Sequence, residues 1–116
     1  MSDPTKQVSA LAQKPCVPCR GGAAPLRGEA LETLRDELGG GWQVAEGKRL
    51  EKGFKFPDFR RALAFANQVG ELAESVNHHP DITISWGQAK VVVWTHKIGG
   101  LSEADFVFAA KVDGLS

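Results

Sequence analysis

The chain has 116 residues, of which 42% are hydrophobic and 24% are charged, so we expect one ordinary soluble domain with a modest core. Fourteen basic and fourteen acidic residues cancel, which argues against direct binding to nucleic acid or to an anionic membrane and suits a small-molecule partner. No apolar run approaches the roughly 20 residues of a membrane span, and the N-terminus lacks the basic and apolar blocks of a secretion signal. These features predict a cytoplasmic protein.

Residues 1–24 are rich in Pro, Gly, Lys and Ala and show no hydrophobic period, which predicts a loosely ordered arm before a domain over residues 25–116. The arm contains Cys16 and Cys19, the only cysteines. A redox motif requires a helix start and a βαβ context, and a zinc site requires two further ligands nearby. Neither context is visible. We interpret the pair as part of the arm, with metal or thiol chemistry as the alternative.

Three elements are predicted before the histidines of the chain. A first helix begins at Pro25 and stops at the glycines of residues 39–41. Residues 42–46 and 49–56 predict a hairpin, in which we interpret Trp42 as a core anchor. A long helix then begins at Pro57. Its predicted apolar stripe comprises Phe59, Ala62, Leu63, Ala66, Val69, Ala73 and Val76, widened by Phe65 and Leu72.

A second hairpin follows the long helix. Apolar and polar residues alternate over residues 82–86, which predicts a strand that buries Trp86 with the other apolar side chains. Gly87 and Gln88 are interpreted as a two-residue loop. Continued to the open end of the hairpin, this register places His79 opposite His96.

The chain ends in a last helix that Ser102 caps in the pattern Ser-x-x-Asp, with Asp105 as the acid. The element order is therefore αββαββα. Two hairpins form at most a four-stranded antiparallel sheet, and one face of that sheet needs a cover of helices. The predicted fold class is an α+β two-layer sandwich with the helices on one face.

All three histidines lie between Glu74 and Asp105. His78 follows Glu74 by four residues, a spacing that puts carboxylate and imidazole on one helical face, and the hairpin brings His79 near His96. Imidazoles beside carboxylates are typical of general acid/base sites that work near neutral pH. Zinc held by three histidines is the alternative. The adjacency of the first two disfavours it, because sequence neighbours rarely aim both rings at one ion.

These residues resemble the signature of pterin-4a-carbinolamine dehydratases, and the likeness covers roughly residues 25–113. The matching elements are Glu74-x3-His78-His79-Pro80, an aromatic at Trp86, Thr95-His96 and Gly100-Leu101-Ser102-x2-Asp105, preceded by Gly41-Trp42 and Phe54-x-Phe56-x2-Phe59. A bare His-His-Pro would be a weak signal. Several spaced elements in the right order are a strong one.

The resemblance implies dehydration of a 4a-hydroxytetrahydropterin without metal or cofactor. It implies catalytic roles for His78, His79 and His96, with Glu74 orienting His78 and Asp105 supporting the site. The implied substrate-binding residues are Asn77, Pro80, Trp94, Thr95 and Lys97. Family members assemble as dimers or tetramers, so a homodimer or homotetramer is expected.

Two alternatives stay open at this stage. Trp94 either offers its ring to the pterin or covers the sheet as a surface aromatic or an oligomer contact. The fold also resembles relatives that act as Rubisco assembly factors or as dimerisation partners of transcription factors. A pure assembly factor has no need of the site histidines, so their presence favours the enzyme.

Overall fold

The computed structural model describes residues 10–13 and 25–115. Cys16, Cys19 and most of the predicted arm lie outside this part of the chain. The boundary near residue 25 therefore stays a prediction.

Four antiparallel strands form one sheet in the order β1-β2-β4-β3. The strands are β1 (Gln43–Ala45), β2 (Arg49–Lys55), β3 (Asp81–Ser85) and β4 (Gln88–Val93). The helices are α1 (Ala10–Gln13), α2 (Gly28–Leu38), α3 (Phe59–Val76) and α4 (Glu103–Asp113), and one turn of 3-10 helix covers His96–Ile98. The predicted α+β fold and the order αββαββα are confirmed over α2 to α4.

The short helix α1 was not predicted. It packs against α4, where Leu11 is fully buried and Lys111 Nζ donates a hydrogen bond of 2.7 Å to the carbonyl oxygen of Ala12. Among the described residues, no helix is both long and apolar enough to cross a membrane.

The start of α2 differs from the prediction by three residues. The helix begins at Gly28 rather than Pro25, because the chain before it is extended and pairs elsewhere. Arg27 has φ −146°, and Leu26 N–H donates a hydrogen bond of 2.8 Å to the carbonyl oxygen of Leu101. This bond ties the entry to α2 to the entry to α4.

The core lies between one face of the sheet and helices α3 and α4. Phe54 of β2 packs on Phe65 of α3 with ring centroids 4.6 Å apart. Trp42 is buried beside Phe54, and its indole N–H donates to the Asp113 carboxylate at 3.0 Å, so the interpretation as a core anchor fits its position. Helix α4 is buried on nearly all sides.

Helix α3 buries a narrower stripe than predicted. Asp58 caps its start by accepting a hydrogen bond from Arg61 N–H at 2.8 Å. The buried residues are Ala62, Phe65, Ala66, Val69 and Ala73. Phe59 and Leu63 were predicted inside but are 46% and 40% exposed, because Phe65 rather than Leu63 sits at the centre of the helix face that meets the sheet.

The register of the second hairpin was predicted wrongly by two residues. Ser85 pairs with Gln88, so the loop consists of Trp86 and Gly87, and Trp86 is 73% exposed. Gln88 belongs to the strand because it also pairs with Lys55 of β2 on its other side. A shift of two residues keeps the side chains of residues 81–85 and 89–93 on their predicted faces, although it moves Trp86 into the loop. The alternation of side chains therefore could not distinguish the two registers.

We predict that Gly100→Ala lowers the free energy of unfolding by about 1–3 kcal/mol, because a Cβ at this buried position meets a rigid proline ring. The added atom would lie 2.8 Å from Pro25 Cβ and 3.2 Å from Pro25 Cγ. Urea unfolding followed by tryptophan fluorescence measures the change.

Gly70→Ala is the matched control. Gly70 lies inside α3, and no atom falls within 4 Å of its added Cβ, so the variant should gain about 0.4–1 kcal/mol. Equal effects of the two substitutions would contradict the packing at Gly100.

Candidate functional site

One cavity of about 290 Å³ lies where α3 ends and β4 ends. It is lined by Asn77, His78, His79, Trp94, Thr95, His96 and Lys97. All three histidines thus meet at one place. Seven of the ten residues singled out from the sequence line the cavity. Glu74 and Asp105 bond to lining histidines from outside it, and Pro80 lies between His79 and the first residue of β3.

The end of α3 delivers two of the histidines. The helix stops at Val76, and Asn77 adopts a left-handed conformation with φ 54°, which asparagine tolerates better than most residues. The N–H groups of Asn77 and His78 both point back to the carbonyl oxygen of Ala73. This cap turns the chain sharply, so His78 and His79 leave the helix in different directions.

The end of β4 delivers the third histidine on a tight loop. Thr95 N–H donates to the carbonyl oxygen of Gly100 at 2.8 Å, and Gly100 N–H donates back to Thr95 at 3.4 Å. Between them the chain makes one 3-10 turn, which ends at Gly99 with φ 62°. His96 and Lys97 are therefore presented by a loop whose two ends are tied together.

His78 is held by a buried carboxylate. Its Nε2 lies 2.6 Å from Asp105 Oδ1, and the two side chains are 10% and 0% exposed. The imidazole also packs on Phe108, with ring centroids 5.7 Å apart. A buried charge is tolerated when it is paired and hydrogen-bonded. The Asp105 carboxylate meets both conditions.

The second oxygen of Asp105 accepts hydrogen bonds from two further residues. Thr95 Oγ1 and Ser102 N each lie 2.8 Å from Asp105 Oδ2. Ser102 Oγ also lies 2.9 Å from Thr95 Oγ1. The capping box of α4 is thus confirmed, and the same carboxylate reaches the site. Asp105 can therefore be both the capping acid of α4 and a neighbour of the cavity.

The prediction that Glu74 orients His78 is wrong. Glu74 Oε2 lies 2.6 Å from His79 Nε2 instead, in a pair whose side chains are 77% and 53% exposed. The helix ends before His78, so the spacing of four residues no longer places the two side chains on one face. The site therefore has two carboxylate-imidazole pairs, one buried and one exposed.

Trp94 already has two partners at the edge of the cavity. The Arg49 guanidinium carbon lies 4.9 Å from the centroid of its ring, and the His96 ring lies 4.3 Å away in an edge-on arrangement. A stacking role toward a ligand and a covering role on the sheet are both compatible with this geometry.

Within residues 10–13 and 25–115, no three His, Cys, Asp or Glu side chains are grouped as ligands of a metal ion. His78 and His79 each direct Nε2 to a different carboxylate.

Three contacts around the cavity were not predicted from the sequence. They are the Thr95 and Ser102 hydroxyls bonded to each other, Phe108 beneath His78, and Arg49 over Trp94. The capping pattern marked Ser102, but it carried no sign of a link to Thr95. Nothing in the local sequence pairs Arg49 with Trp94.

A family model described as pterin 4 alpha carbinolamine dehydratase matches residues 24–115. The chain belongs to this family. The resemblance seen in the sequence is thereby confirmed. The family boundary lies close to the predicted start of the domain.

Several relatives of this dehydratase-family chain are close in sequence. A protein of Rubrobacter xylanophilus, provisionally named a pterin-4-alpha-carbinolamine dehydratase, is 58% identical over 93% of this chain and 100% of its own length. A protein of Alkaliphilus metalliredigens with the same provisional name is 48% identical over 89% of this chain and 93% of its own length.

Two solved structures share the fold of this dehydratase-family chain. A transcriptional coactivator/pterin dehydratase from Brucella melitensis has a TM-score of 0.72 at 29% identity and covers 78% of this chain and 97% of its own. A pterin dehydratase-like protein identified as a RuBisCO assembly factor in the alpha-carboxysome has a TM-score of 0.56 at 25% identity, over 67% of this chain and 92% of its own.

We predict that Asp105→Asn lowers the free energy of unfolding by about 1–3 kcal/mol, because an amide cannot accept from all the donors that the carboxylate accepts from. Guanidinium unfolding of the purified variant measures the loss.

Glu74→Gln is the control, since it makes the same chemical change in the exposed pair. Its effect should stay within about 0.5 kcal/mol. Similar losses in both variants would show that burial does not distinguish the two carboxylates.

Proposed function

We propose that the protein removes water from a 4a-hydroxytetrahydropterin, such as 4a-hydroxytetrahydrobiopterin, and releases the quinonoid dihydropterin. This hydro-lyase reaction serves tetrahydropterin recycling, because a reductase can use the product. One observation carries the proposal. All three imidazoles line one cavity, and carboxylates hold two of them at 2.6 Å.

The chemistry requires two proton transfers and no electron transfer. A base takes the proton from the ring nitrogen beside C4a, a carbon–nitrogen double bond forms, and the C4a–oxygen bond breaks. An acid protonates the leaving hydroxyl, which departs as water. Imidazoles can serve as both acid and base near neutral pH, so the proposed reaction uses no metal and no organic cofactor.

His78 suits the role of the base. Its Nε2 faces a carboxylate oxygen, and a carboxylate only accepts hydrogen bonds, so Nε2 carries a proton. In the neutral ring the lone pair then lies on Nδ1. Asp105 thus selects the tautomer that accepts a proton at Nδ1, in the way that a buried aspartate orients a catalytic histidine elsewhere.

His79 and His96 remain to protonate the leaving hydroxyl. His79 is held from outside the cavity by Glu74, and His96 rests against Trp94. Asn77 and Lys97 line the same cavity and offer donors to the polar edge of a pterin, while Pro80 sets the direction of the chain after His79. These residue roles are part of the proposal and go beyond the family membership of the chain.

We predict that His78→Ala, His79→Ala and His96→Ala each lower kcat for dehydration, with His78→Ala lowering it most, by roughly 10² to 10⁴-fold. Spectroscopy of the quinonoid product, with 4a-hydroxytetrahydropterin generated in place, measures the rate above the uncatalysed background.

Gln68→Ala, on an exposed part of α3, is the control and should keep the wild-type rate. An inactive wild-type protein would refute the enzyme proposal.

The alternative function is that of a non-catalytic assembly factor or dimerisation partner. The fold shared with the carboxysome assembly factor favours it, as does the coactivator named in the Brucella melitensis structure. The histidine variants distinguish the two functions, because assembly of Rubisco in a refolding assay should not depend on imidazoles inside a cavity. A wild-type protein that dehydrates the pterin but does not assist Rubisco assembly would support the enzyme function alone.

We also propose a homodimer or homotetramer in the cytoplasm. Strand β3 is an edge of the sheet with backbone groups available for pairing, and Phe59, Leu63 and Trp86 are exposed apolar side chains.

We predict a mass of two or four times 12.5 kDa by light scattering. Leu63→Asp should give a smaller mass, because a charge opposes burial of the exposed face of α3 that carries Leu63. Gln68→Asp adds the same charge to the same helix as a control. A monomeric wild type at micromolar concentration would contradict the assembly.

A further inference from the structure

We propose that Thr95 is a positioning residue that acts on both sides of the cavity, rather than a substrate-binding residue. Its hydroxyl holds the Asp105 carboxylate in place, and the carboxylate in turn keeps a proton on Nε2 of His78. Its backbone closes the loop that carries His96. The expected effect on turnover rests on the proposed dehydratase function, whereas the effect on His78 does not.

The hydrogen bonds of Thr95 leave no proton for a substrate. Its side chain is nearly buried at 5% exposure, and its hydroxyl has a single hydrogen to donate. That hydrogen goes to Asp105 Oδ2 at 2.8 Å. In the 2.9 Å contact between the hydroxyls of Thr95 and Ser102, Ser102 is then the donor. A ligand in the cavity therefore meets a hydroxyl that is already committed.

The Asp105 carboxylate is surrounded by donors. Oδ1 faces His78 Nε2 at 2.6 Å, and Oδ2 accepts from Thr95 Oγ1 and Ser102 N at 2.8 Å each. The backbone N–H of Ser102 fixes one direction, and the Thr95 hydroxyl fixes a second. Without the hydroxyl, the carboxylate is held on that side mainly by the helix cap and can rotate away from His78. The proton on Nε2 then loses its fixed acceptor.

The backbone of Thr95 connects this network to the third histidine. Its N–H and C=O both bond to Gly100, which closes the turn over residues 96–99. Thr95 is thus the one residue of the described site that binds Asp105 through its side chain and closes the His96 loop through its main chain. The acid and base sides of the cavity are positioned through a common residue.

Two substitutions separate the hydroxyl from the rest of the side chain. Thr95→Val keeps the shape and removes the hydroxyl, whereas Thr95→Ser keeps the hydroxyl and removes a methyl group. We expect Thr95→Val to lower kcat about 10- to 100-fold, as the loss of an outer partner of a functional histidine does elsewhere, with KM changed less than about twofold. Thr95→Ser should stay within about threefold of wild type in kcat.

Nitrogen-15 NMR of labelled histidine provides a second measurement that needs no substrate, with His78→Gln to assign the signal. Wild type and Thr95→Ser should show His78 protonated at Nε2, and Thr95→Val should show a mixture of tautomers. If Thr95→Val does not fold, Thr95→Ala serves in its place, because it also removes the hydroxyl that donates to Asp105 Oδ2.

Several outcomes would overturn the proposal. A raised KM with unchanged kcat in Thr95→Val would make Thr95 a substrate contact. An unchanged His78 tautomer in Thr95→Val, or in Thr95→Ala if that variant is used, would remove the link through Asp105. An inactive wild type refutes the dehydratase function only, since the tautomer measurement still tests the role of Thr95.

Discussion

The buried carboxylate of Asp105 is the interaction on which the rest of this structure depends. It caps α4 through Ser102, holds the segment after β4 through Thr95 and holds the segment after α3 through His78. The side chain is fully buried, so its charge is tolerated only while these donors surround it. Loss of any one donor therefore affects both the stability of the fold and the geometry of the cavity.

The two carboxylate-imidazole pairs differ in environment rather than in distance. Both measure 2.6 Å, yet the pair of Asp105 and His78 is almost entirely buried and the pair of Glu74 and His79 is mostly exposed. Solvent screens the exposed pair, so it contributes little to stability and its geometry can change as a ligand enters. The buried pair is shielded from solvent, which suits the role of base that is proposed for His78. This contrast favours different roles for two histidines that are adjacent in sequence.

The fold alone does not decide between catalysis and assembly. The same sheet and helices occur in a solved structure named as a pterin dehydratase and in one named as a Rubisco assembly factor, which is expected because function depends on sites placed on a shared scaffold. In this chain the edge strand β3 and the exposed Phe59 and Leu63 are available for association. The cavity with its histidines lies at the end of the sheet where β4 leads into the loop of His96, so one chain has room for both kinds of contact.

The sequence by itself determined the order of helices and strands from α2 to α4, the cap at Ser102 and the family, because each depends on short patterns of residues that are close in sequence. The meeting of the histidines was also predictable, since a helix end and a strand end flank one hairpin. Only the tertiary structure decided that Asp105 rather than Glu74 holds His78. Asp105 and His78 are 27 positions apart in sequence, and α3 ends before it reaches His78. The tertiary structure also decided the register at Gln88, since β2 pairs with that residue from the other side and local alternation is the same in either register.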